Sequence, residues 1–121
     1  MDHICLAFPV LTGKTAIARA FLSELDGPRK SDFDRSERRI GITKELWYLA
    51  ALPSGDQMIG YMESPDFNRA LTAFVQSRDE FDLWFKQRFA EATGVDLNNP
   101  PPDFKPPELL SHYDVQQMAR L

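Results

Sequence analysis

The sequence predicts a small α+β domain, and three observations predict it. A short, almost wholly apolar run, His3 to Val10 (HICLAFPV), reads as a strand buried on both faces. Two further β-prone runs, Thr43 to Leu52 (TKELWYLAAL) and Gln57 to Ser64 (QMIGYMES), flank Pro53-Ser54-Gly55-Asp56, a turn sequence that reverses the chain into a hairpin. Apolar residues at three- and four-residue spacing mark helices before and after that hairpin.

After the first strand, Thr12 can cap a helix whose inward side is Ile17, Ala20, Phe21 and Leu25, while Lys14, Arg19, Ser23 and Asp26 face away. Gly27-Pro28 stops it. Between Arg29 and Arg39 eight of eleven residues are charged (RKSDFDRSERR), with Phe33 and then Ile40 as apolar anchors, and a solvated helical turn or loop is expected. Ser64-Pro65-Asp66 starts the next helix, with Phe67, Ala70, Leu71, Phe74 and Val75 on one face. Ser77-Arg78-Asp79-Glu80 fits a capping box, so the helical region breaks near Ser77 and resumes with Phe81, Trp84, Phe85, Phe89 and Ala92 before Gly94. Residues 98–107 (NNPPPDFKPP) carry five of the nine prolines and form a semi-rigid connector. Residues 108–113 (ELLSHY) then read as a short fourth strand at the sheet edge, and 114–121 as a tail.

The order strand, helix, strand, strand, helical region, strand is the split βαβ, ferredoxin-like arrangement, with an antiparallel sheet in the order fourth-first-third-second and its helices on one face. The length of 121 residues suits one such domain and leaves little room for a second core. The other sheet face would stay open, and a second copy of the chain related by a two-fold axis is the simplest cover, which predicts a homodimer.

The stretches GITKELWYL, PSGDQMIGYMES, DEFDLWFKQRF and GVDLNNPPP resemble a group of small, largely uncharacterised bacterial proteins of the dimeric α+β barrel superfamily. The resemblance covers most of the chain and implies the same dimeric fold. It implies no one activity, because that superfamily includes cofactor-independent oxygenases, haem-degrading enzymes, isomerase-like and decarboxylase-like members and plain ligand binders.

Composition excludes several classes. A net charge of -4 and a pI near 5.1 argue against a nucleic-acid binder, which needs a clustered positive field. The lone Cys5 cannot form an internal disulfide, the opening apolar run lacks the flanks of a signal peptide and is too short to cross a bilayer, and a cytoplasmic protein without membrane partners is expected. No glycine-rich dinucleotide loop is present, and Gly13-Lys14-Thr15 fails as a phosphate loop because position 8 is Phe8 and not glycine, so no cofactor is expected.

A hairpin turning at Ser54-Gly55 sets Tyr48 opposite Tyr61, Leu46 opposite Glu63 and Trp47 opposite Met62. One face then carries Tyr48, Tyr61 and Glu63 over an apolar floor, the chemistry of a pocket for a small, partly apolar ligand; the plainer reading is a dimer interface, where tyrosine is also favoured. Trp84 can line the same cavity from the helix side, its indole N–H a donor. Tyr48, Tyr61, Glu63 and Trp84 are therefore the candidate ligand-binding residues, and Glu63 beside Tyr61 is the candidate catalytic base. Glu45 falls on the opposite face from Glu63, which separates those two acids. His3 and His112 should be neighbours if the fourth strand runs beside the first, but with Cys5 they fall short of a metal-ligand pattern, and no metal site is expected. A homodimeric small-molecule-binding domain is the expected function, with a cofactor-independent oxygenase- or isomerase-like enzyme, or a structural dimer without a pocket, as alternatives.

Overall fold

In the computed structural model, which describes residues 1–118, the strands β1 (Asp2–Pro9), β2 (Lys44–Leu52) and β3 (Gly55–Ser64) alternate sharply in what they bury. Leu6 and Phe8 of β1 and Met58, Gly60 and Met62 of β3 point into the core, while Cys5, Ala7, Leu46 and Tyr48 on the other face stay exposed. Helices therefore cover one face only. The fold is α+β, a three-stranded antiparallel sheet in the order β1-β3-β2 with four principal helices, and β3 is its central strand.

The register differs by two residues from the one the hairpin turn suggested. Leu52 pairs with Gly55, so Pro53 and Ser54 form the turn, and Tyr48 faces Ile59, Leu46 faces Tyr61 and Trp47 faces Gly60. Gly55 sits at φ 130°, a conformation open to glycine, and this places the reversal one residue earlier than a turn at Ser54-Gly55. A slip of two leaves the faces unchanged, because side chains alternate with period two.

α1 (Thr15–Leu25) buries Ala18, Phe21 and Leu25. Its N-cap is Lys14, without a side-chain cap, while the Thr15 hydroxyl donates to Asp56 at 2.5 Å; Thr12 caps nothing. The charge-rich segment is a full helix, α2 (Lys30–Ile40), ended by Gly41 at φ 95°. Its inward residues are Phe33, Ser36, Glu37 and Ile40, a helical stripe with two polar members.

α3 (Phe67–Gln76) starts at Asp66, whose carboxylate accepts the Arg69 N–H, so the cap lies two residues beyond Ser64. The helical region does break at Ser77, and α4 (Glu80–Thr93) begins at Asp79, which accepts the Phe81 N–H. Asp82 and Lys86, one turn apart on α4, are both buried. Asp82 accepts the hydroxyls of Ser36 at 2.5 Å and Ser77 at 2.6 Å and pairs with the Arg39 guanidinium. The Lys86 ammonium donates to the Val75 and Ser77 carbonyls at the end of α3 and to Asn98 Oδ1, over the Phe74 ring. Burial foremost, then the charge of Arg78, lowers the Lys86 pKa.

Residues 95–114 have no regular structure, and 108–113 form no strand beside β1. Leu109 and Leu110 are 59% and 82% exposed, so that stretch has no face to bury and nothing to hold it in a ladder. A final turn, α5, spans Val115–Met118, and residues 119–121 of the expected tail lie outside the described residues. Among the described residues no helix is long and apolar enough to cross a membrane.

The core between sheet and helices is a stack of aromatic rings, with Phe8 and Phe89 at 4.8 Å, Phe21 and Phe85 at 4.9 Å, and Trp47 against Phe89 at 6.1 Å. Trp47 lies flat across Gly60, its cross-strand partner, where a Cβ would come within 2.8 Å of the indole ring. Gly60→Ala should therefore displace Trp47 and cost about 1–3 kcal/mol, the range for overpacking a core, measured as a lowered denaturation midpoint in urea; an unchanged midpoint would show that the indole shifts freely.

Candidate functional site

The open face gathers most of the residues that the sequence singles out. Tyr61, half-buried on central β3, donates its hydroxyl to Glu63 Oε2 at 2.7 Å, and His3 Nδ1 meets the same hydroxyl at 2.9 Å from β1. With the phenol proton directed at Glu63, His3 Nδ1 is the donor in the second contact. The bond to Glu63, burial, and the charge of that carboxylate, in that order, raise the Tyr61 pKa. The His112 ring lies 5.5 Å from that of His3, so the two histidines are neighbours although no fourth strand joins them. Tyr48 is 59% exposed on edge strand β2 and Cys5 is exposed beside Tyr61.

Trp84 does not join this group. It lies on α4 behind the sheet, against Phe21 at 5.6 Å and Phe81 at 5.6 Å, with the Arg29 guanidinium 4.6 Å from its ring. Among the described residues no group of three His, Cys, Asp or Glu side chains is arranged to hold a metal ion.

A second site sits inside the fold. Between the covered sheet face and the helices is a cavity of about 80 Å³, walled by aromatic and aliphatic side chains including Phe8, Trp47, Phe67, Phe74 and Phe89. Pro100, Pro101 and Phe104 of the proline segment complete its wall. Two acids interrupt this apolar lining: Glu37 from α2 and Glu45 from β2. Both also line a wider groove of about 970 Å³ between α1, α2 and the β2 edge. They stand where an apolar interior meets a polar surface.

Glu45 Oε2 accepts the Trp47 indole N–H at 2.8 Å, whereas Glu37 Oε2 is buried and meets no donor group among the described residues. The Glu37 and Glu45 carboxyls lie close enough for one, when protonated, to donate to the other. Burial first, then the charge of Glu45, that hydrogen bond and the charge of Asp82, pushes the Glu37 pKa far above its ordinary value. Burial also raises Glu45, opposed by the hydrogen bonds it accepts from Glu37 and Trp47. Two acids so placed favour sharing one proton over both being ionised. Among the described residues no Lys, Arg or His forms an ion pair with either.

Sequence reasoning placed Glu45 on the face away from Glu63 but missed its partner. The signal for Glu37 was the spacing Phe33, Ser36, Glu37, Ile40, a helical stripe hidden by the charges around it. Comparison with family models, with curated proteins and with solved structures finds no match to this chain.

The sign of the proton linkage follows from the raised pKa. Folded Glu37 keeps a proton that the unfolded chain releases above about 4.5, so the contribution of this group to stability is fully present below that value and is lost as pH rises from there towards the raised folded pKa, by up to about 1.4 kcal/mol per pH unit for one proton. Urea denaturation between about pH 5 and about pH 8 should show a flatter profile for Glu37→Gln, whose amide still donates to Glu45; identical slopes would mean that the two carboxyls do not share a proton.

Proposed function

We propose that the chain is a homodimeric small-molecule-binding domain of the ferredoxin-like, dimeric α+β barrel kind, and that its ligand is small and partly apolar. One observation carries the ligand reading: an aromatic cavity whose only acids, Glu37 and Glu45, also floor a surface groove. An apolar cavity excludes water and favours an apolar body, and a few polar groups at its mouth fix the orientation of what enters. The ligand contacts are thus assigned to Glu37, Glu45 and Trp47 on the covered face. Tyr48, Tyr61 and Glu63 are assigned to the open face, and Trp84 to helix packing.

The dimer reading rests on that open face. Leu46, Tyr48 and Leu52 of β2 are 41%, 59% and 47% exposed beside Ile59 and the hydrogen-bonded His3, Tyr61 and Glu63. A contiguous apolar face with polar side chains at its margin is the composition of an interface core and rim. A second copy brings the same surface, as a two-fold contact requires.

Two measurements test the proposal. A small aromatic probe such as benzyl alcohol should shift the NMR signals of Trp47 and Phe104, and Ala70→Leu, which fills the cavity from α3, should abolish the shifts while the variant stays folded by circular dichroism; shifts confined to the sheet's open face would defeat the cavity reading. Light scattering should give about twice the chain mass of 13.9 kDa, and Tyr48→Lys should reduce it to that of one chain. A wild-type monomer at micromolar concentration removes the dimer.

A further inference from the structure

The Glu37–Glu45 pair is an incomplete site. Two interactions are accounted for: the Trp47 indole satisfies Glu45 Oε2, and the two carboxyls can share one proton. Among the described residues no donor group faces Glu37 Oε2, and no basic side chain balances the charge that the pair retains. A buried charge without a partner is costly, so the group that fits here is a cation rich in N–H donors.

The rest of the cavity narrows the choice. Its walls are aromatic and aliphatic, with rings whose faces can attract an ammonium, and they offer no side-chain oxygen ligands beyond the two carboxyls, too few for calcium or magnesium, and no thiolate or imidazole for zinc. A carboxylate ligand would add a third acid to an unbalanced pair, and an alcohol supplies one donor and no charge. The fold already shelters one ammonium this way: Lys86 lies over Phe74, a ring that also walls the cavity, with three oxygen acceptors around its Nζ.

We infer that the occupant of this cavity is a primary amine with a compact apolar body, its ammonium set between Glu37 and Glu45 and its body among the aromatic rings. This rests on the ligand-binding reading above and names the ligand class. The ammonium replaces the shared proton as the bridge between the carboxyls, so Glu37 gives that proton to solvent and both acids are ionised in the complex. The charged groups near the pair are Asp82 of α4, which disfavours this ionisation, and Lys30, Asp34 and Arg38 of α2 with Asp26 and Lys44 along the groove. A substituent on the ligand has room to run outward along that groove.

Calorimetry on the full chain near neutral pH, in two buffers of different ionisation enthalpy, tests this with benzylamine, benzyl alcohol and benzoate. Benzylamine should bind at least about tenfold more tightly than benzyl alcohol, with proton release seen as a buffer-dependent heat, and benzoate should give no heat. Glu37→Gln and Glu45→Gln should each lose the preference and the proton release while staying folded by circular dichroism. Benzyl alcohol or benzoate binding as tightly as benzylamine overturns the amine assignment and leaves the cavity reading standing. Absence of binding by all three overturns both.

Discussion

Asp82 is a carboxylate with no exposed surface, and three elements meet on it. Ser36 and Arg39 reach it from α2 and Ser77 from the break between α3 and α4, so its charge is satisfied by two hydroxyls and a guanidinium. This matters most for α2. That helix presents only Phe33 and Ile40 as apolar residues to the interior, too little burial to fix its position by the hydrophobic effect alone. Polar bonds to Asp82 seat the helix, and the same seating sets Glu37 opposite Glu45. One turn further along α4, Lys86 ends α3 by taking its last carbonyls. The two helices after the hairpin are thus held at their break by one buried acid and one buried base.

Much of the fold was legible because burial and secondary structure agree in period. The hairpin, the three strands, the stripes of α3 and α4, and the break at Ser77 follow from apolar spacing and turn residues, while on α1 Phe21 and Leu25 face inward as expected but Ala18 is buried in place of the exposed Ala20. What was not legible had a common cause: positions where polar side chains do the work of apolar ones. In α2 the stripe includes Ser36 and Glu37, so it reads as charge without period. In 108–113 the apolar Leu109 and Leu110 read as a strand, yet neighbouring prolines and a lack of any partner face leave them in water. The absence of that strand also leaves β1 as an unpaired edge.

The site divides in the same way. The Tyr61–Glu63 contact was readable from alternation along one strand, whereas His3 and His112 are neighbours without the fourth strand from which their nearness was expected. Trp84 was read as a cavity residue because aromatic rings face interiors, but its ring is claimed by Phe21, Phe81 and Arg29. The Glu37–Glu45 contact could not be read at all, since its members come from a helix and a strand whose packing depends on Asp82, a residue remote from both in the chain.

The proline segment bears on timescale. Pro100, Pro101 and Phe104 close one side of the cavity, yet this stretch is tied by few backbone bonds, among them Phe104 N–H to the Pro101 carbonyl at 3.0 Å. Prolines restrict the loose form as well as the docked one, so lifting the segment gains little chain entropy and laying it back costs little. Most of the remaining wall belongs to strands and helices, which open only with the domain. A path to solvent past this segment, beside the mouth at Glu37 and Glu45, would need no opening of the domain, so residence time and global stability become separately adjustable properties of the same small domain.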